Sequence, residues 1–171
     1  MKTSNRSIIK TIAVILMSAF IGTALQSCSG ESIVFLQINE NNILYALDND
    51  NYEATATGYF VKDGKLIDRL DILDDVTAAN LTYRVVGIAD RAFVNVPCQM
   101  VSIGINVKVI GSGAFSGCSD IATVVINGTS VPLIHDDSFD KNTYENAILM
   151  VPNGCSIEGT PWQSFSHISR Y

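Results

Sequence analysis

The chain has 171 residues, enough for one domain or one domain with a small appendage. Hydrophobic residues make up 47% and charged residues 16%, which excludes a disordered polar chain. All 17 acidic residues lie after position 28, against eight basic ones, so that part carries a net charge of about −9. Such a body repels phosphate backbones and anionic lipid heads, so no nucleic acid is expected as a partner.

Lys2, Arg6 and Lys10 form a positive start, followed by the apolar run Thr11 to Leu25. The run is short for a membrane span, which needs about 20 residues, and suits a secretory signal over 1–27. It leads into Leu25-Gln26-Ser27-Cys28, which resembles a lipobox. That resemblance implies cleavage before Cys28, lipidation of its thiol and membrane attachment through acyl chains rather than a helix. Gln26 departs from the small residue usual in that motif. Residues 28–32 are then the lipidated cysteine and a short tether.

Residues 33–65 are expected to form a β-strand cap. Val34–Ile38 and Ile43–Leu47 flank a polar turn, and Tyr52–Phe60 alternates after Asp48–Asn51. Leu81–Val86 supplies a further strand. A meander of this kind would cover the open apolar end of a stack.

The rest of the chain repeats. Ile88-Ala89-Asp90-Arg91-Ala92-Phe93 recurs at Ile110–Phe115 and at Ile134–Phe139, at intervals of 22 and 24 residues. The common form is Ile-x-x-x-small-Phe. A second motif has apolar residues at positions 1, 4 and 6: Ile67, Leu70, Ile72; Met100, Ile103, Ile105; Ile121, Val124, Ile126. Leu149 and Val151 hold positions 4 and 6 of a later copy, with Asn146 at position 1. Positions 4 and 6 alternate like a strand and point into a core. One such unit cannot bury its own apolar face, so units must stack.

Ile110 to Ile126, IGSGAFSGCSDIATVVI, resembles the BspA-like, or treponemal-type, leucine-rich repeat. Cys118 and Ile121 stand at that family's Cys and Leu. The preceding unit departs from the pattern, reading VNVPC with an extra residue before Met100 and Val96 where the cysteine would be. Ala147 to Ile168 resembles the family's terminal segment, a strand, Val-Pro, a short helix, then Trp162 and Phe165. The resemblance spans 66–171. It implies a mainly β chain, a short right-handed leucine-rich-repeat solenoid of about three to four coils preceded by the small β-meander cap.

Chemistry for an enzyme is not evident. His135 sits beside Asp136 and Asp137 in a variable slot of the repeat, and Cys155 has no local motif to pair it with a histidine. Asp68, Asp71, Asp74 and Asp75 lack the spacing and glycine of a calcium loop, so no metal and no cofactor is expected. Cys98, Cys118 and Cys155 are expected as small buried thiols, although an exported protein permits a Cys98–Cys118 bridge.

The resemblance implies a cell-surface adhesion or protein-binding module, with a host matrix or envelope protein as partner. The location would be the outer membrane or cell surface of a Gram-negative bacterium. The alternative is an accessory envelope lipoprotein using its repeats as a scaffold. With positions 4 and 6 inward, 3 and 5 face out. The position-5 row reads Asp71, Gly104, Val125, Met150, and the position-3 row Arg69, Ser102, Thr123, Ile148. The candidate contact cluster is therefore Thr123, Val125, Ile148 and Met150.

Overall fold

A computed structural model describes residues 34–38, 42–60 and 65–171; the leader, Cys28 and the tether lie outside the described residues. The chain is mainly β, arranged as two sheets. Strands β1 (Val34–Ile38), β2 (Ile43–Asp48) and β3 (Glu53–Tyr59) pair antiparallel as a meander. Then β3 pairs in parallel with β6 (Leu81–Ile88), so the meander continues a sheet that the repeats build. The same sheet takes up β8 (Val109–Ile110) and β10 (Leu133–Ile134), both parallel, while β5 (Asp75–Ala78) folds antiparallel onto β6.

The second sheet has the order β12-β11-β9-β7-β4, parallel throughout. Its strands are β4 (Ile67–Ile72), β7 (Cys98–Ile103), β9 (Thr123–Ile126), β11 (Ile148–Val151) and β12 (His167–Arg170). From β6 to β11 the chain alternates between the two sheets, and the core lies where their inward rows meet.

The Ile-x-x-x-small-Phe units coincide in space. Ile88, Ile110 and Ile134 are successive ladder partners. Phe93, Phe115 and Phe139 are buried and stacked, with ring centroids 5.3 and 4.7 Å apart. Offset parallel rings at this spacing add about 0.5–1.5 kcal/mol per pair beyond the area they bury. Backbone bonds tie each unit to the next: the N–H of Phe93 donates to the carbonyl of Ala114 at 2.8 Å, and that of Phe115 to Ser138 at 2.9 Å. The small residues, Ala92, Ala114 and Ser138, are buried. Ser138 adds a hydroxyl bond to the carbonyl of Gly111 at 3.0 Å.

The turns repeat as well. Arg91 and Gly113 share a left-handed conformation, φ 55° and 58°, and so do Asn95 and Gly117, φ 58° and 76°. Glycine adopts that region freely, whereas Arg91 pays for it. Gly111 answers a different demand. A Cβ there would collide with the backbone and side chain of Asp90, whose carboxylate accepts the N–H of Ser112 at 2.8 Å. The third unit lacks both left-handed positions, and at the second of them Lys141 begins helix α1 (Lys141–Asn146).

Near the C-terminus the last ring of the stack packs against further aromatics. Trp162 lies in a 3-10 turn, Pro161–Ser164, fully buried, and its indole N–H donates to the carbonyl of Pro132 at 2.7 Å. Trp162, Phe165 and Tyr144 surround Phe139, the last ring of the stack, with centroids 5.7 to 5.9 Å from it. After Trp162 and Phe165 the chain adds the edge strand β12, which the sequence reading does not include.

One register expectation is wrong. Val101 and Ile103, not Ile103 and Ile105, pair with Leu70 and Ile72 on one side and with Val124 and Ile126 on the other. Ile105 lies outside the strand and is 56% exposed. Position 1 is held by Cys98, opposite Ile67. The cause lies two residues upstream. Val96 does match Cys118, each donating its N–H to the phenylalanine carbonyl three residues back, at 3.2 and 3.3 Å. Only Pro97 then separates Val96 from Cys98, where Ser119 and Asp120 separate Cys118 from Ile121. That unit is one residue shorter, not longer, and the strand starts two residues earlier than the spacing suggests.

A candidate interaction face on the five-stranded sheet

Inward and outward residues alternate along β4, β7, β9 and β11. Leu70, Ile72, Val101, Ile103, Val124, Ile126, Leu149 and Val151 are buried, so the residues between them form the opposite face. Ladder register sets the rows there. One row runs Arg69, Met100, Thr123, Ile148, His167. The neighbouring row runs Asp71, Ser102, Val125, Met150, Ser169. The β7 correction therefore removes Gly104 from the position-5 row, moves Ser102 into it and puts Met100 at position 3.

All four residues singled out by the sequence meet. Thr123 lies opposite Ile148 and Val125 opposite Met150 on adjacent strands, forming a two-by-two cluster. Ile148 is exposed at 44%, and the other three are half-buried. Met100, which the sequence reading missed, extends the cluster by one strand. Counting from Val96 as the equivalent of Cys118 would have found it.

The other end of the face is polar and braced. The Arg69 guanidinium forms an ion pair with Asp71 and donates to the hydroxyl of Ser102 at 3.0 Å. The Asn127 amide donates to the same hydroxyl, also at 3.0 Å. These two side chains lie against Ser102, which is buried despite facing outward. Across the face the charged, hydrogen-bonded Arg69–Asp71–Ser102 edge gives way to an apolar stretch of Met100, Val125, Ile148 and Met150, beyond which β12 contributes His167 and Ser169. Exposed ion pairs such as Arg69–Asp71 contribute little to stability, so this end does more for the shape of the surface than for the fold.

Other polar groups that the sequence singles out make local hydrogen bonds. Asp74 of the acidic run accepts the N–H of Ile105 at 2.7 Å. The hydroxyl of Ser112 bonded to Asp137, at 2.6 Å, holds that carboxyl below its ordinary range. The carbonyl of His135 accepts the N–H of Ser138 at 3.0 Å, in the turn. Among the described residues there is no group of three or more metal-ligating side chains. Among them, too, no helix is long and apolar enough to cross a membrane.

Residues 73–169 match the family model described as BspA type Leucine rich repeat region (6 copies). No curated protein matches the chain. Two solved structures resemble it. A leucine-rich repeat protein from Bacteroides capillosus ATCC 29799 has 18% identity and a TM-score of 0.56, over 80% of this chain and 98% of that one. A leucine rich cell surface protein from Faecalibacterium prausnitzii A2-165 has 20% identity and a TM-score of 0.50; the match covers 84% of this chain and 44% of that longer one. At these identities the likeness concerns the fold. The repeat spacing, the stacked phenylalanines and the family match over more than half the residues agree: this chain belongs to the BspA-type leucine-rich repeat family.

Proposed function

We propose that this protein is an exported, lipid-anchored surface protein whose repeats form a protein-binding face. The alternation of strands between two sheets is read as a short right-handed solenoid, with the 33–65 meander as its first cap and Trp162 and Phe165 as its second. The observation that carries the binding reading is the apolar cluster of Thr123, Val125, Ile148 and Met150 beside the polar Arg69–Asp71–Ser102 end. A parallel sheet that presents an apolar patch with a polar margin suits a protein partner, because the patch gives area and the margin gives register. The acidic body disfavours nucleic acid and bare anionic membrane.

The N-terminal sequence supports export and anchoring, and one structural neighbour, a cell surface protein, supports export. Metabolic labelling with a palmitate analogue is expected to mark the native chain and not Cys28→Ala. Equal labelling of both removes the anchor.

Binding is tested by pull-down with the full chain against purified host extracellular-matrix proteins in one arm and envelope extract in the other. Saturable capture of a matrix protein supports adhesion. Capture confined to envelope components favours the accessory-lipoprotein reading, and no saturable capture in either arm removes the binding face.

A further inference from the structure

Cys98 and Cys118 depart from the repeat in complementary ways. Position 1 holds isoleucine in the units on either side: Ile67 pairs directly with Cys98, and the register from Val101 and Val124 sets Ile121 opposite it. The backbones there are joined, with the N–H of Ala122 donating to the carbonyl of Gln99 at 2.8 Å. Cys118 lies three residues before Ile121, and its carbonyl accepts the Ile121 N–H at 3.4 Å. Its thiol points back into the preceding unit, donating to the carbonyl of Phe93 at 2.9 Å. The neighbouring Cys118 thiol and burial raise the pKa of Cys98, while the Cys98 thiol lowers that of Cys118, so the two side chains lie within reach of each other. Both are buried, while Cys155 is buried on its own further along the chain.

The structure holds these sulfurs as thiols, and we infer that they are oxidised to a Cys98–Cys118 disulfide when the protein matures in the cell envelope. This inference rests on the export reading, because the reducing cytoplasm would keep them apart. The two S–H bonds break and one S–S bond forms. Two protons and two electrons pass to the disulfide of a thiol–disulfide exchange protein, whose own S–S bond breaks and which leaves as a dithiol. The exchange precedes closure of the repeats. Once folded, both thiols are buried and out of reach of an exchange partner. The bridge staples β7 to the turn before β9, at the unit shortened by one residue.

The test isolates the full chain from producing cells, unfolds it without reductant, alkylates it and maps its peptides. A linked peptide pair holding Cys98 and Cys118, with Cys155 alkylated, is expected. Cys118→Val and Cys98→Ile should each release the remaining partner to alkylation; valine and isoleucine fill those places in neighbouring units, so both variants keep the packing. Recovery of Cys98 and Cys118 alkylated in an envelope-located chain overturns the bridge and leaves export standing. A chain found in the cytoplasm overturns export. The full chain is then refolded in a mixed oxidised and reduced glutathione buffer, where pairing of Cys98 with Cys118 supports the bridge and alkylation of both overturns it.

Discussion

Phe93, Phe115 and Phe139 occupy the same place in three successive units and stack ring on ring, whereas the outward row Arg69, Met100, Thr123, Ile148, His167 changes chemistry at every strand. Both regions are built by the same periodic backbone. The ring stack has no freedom, because each phenylalanine must fill the space between its neighbours at interior packing density. The outward row has only to keep strand-compatible side chains, so its composition is open to other demands. Where a repeat protein varies from one unit to the next, the variation on the unconstrained side is the informative part.

The comparison breaks first at the stack. Phe115 is fully buried between Phe93 and Phe139, so Phe115→Ala removes two ring contacts at once. The expected cost is about 3–5 kcal/mol, enough to unfold much of the repeat region, read as loss of the thermal transition or a steep fall in its midpoint. A midpoint unchanged within a degree or two would mean that the ring does not bear on its neighbours. Trp162→Phe is a smaller blow to the same stack. It keeps an aromatic ring against Phe139 but leaves the Pro132 carbonyl without its indole donor, at an expected cost of about 1–3 kcal/mol by chemical denaturation.

The constrained region is also the legible one. Ile88–Phe93, Ile110–Phe115 and Ile134–Phe139 announce themselves, because a stack that needs the same volume in each unit writes the same residues. The outward cluster was found only where the spacing is regular, from Cys118 to Ile126 and on to Val151. At β7 the shortened Val96-Pro97-Cys98 link defeated the count, since Ile103 fits position 4 and position 6 equally well, and Ile105 continues the alternation into a turn. The two-residue strands β8 and β10 carry too few residues for an alternation to show, and the edge strand β12 is exposed at every position, so it has no buried row to reveal. The Arg69–Ser102–Asn127 bonds join residues 25 and 33 apart, which no local pattern announces.

The outward face should give the smallest effect on folding and the largest on contact. Val125 and Met150 are opposite each other at the centre of the apolar cluster, half-buried on a sheet surface. The Val125→Asp, Met150→Asp double variant is expected to cost no more than about 1–2 kcal/mol, from lost β-propensity and two like charges placed opposite each other. The most direct measurement is therefore the affinity of this folded double variant for whichever matrix or envelope protein the native chain captures. Loss of saturable binding with an unchanged circular dichroism spectrum is the predicted result; native affinity in the folded double variant would contradict the assignment of the contact to β9 and β11.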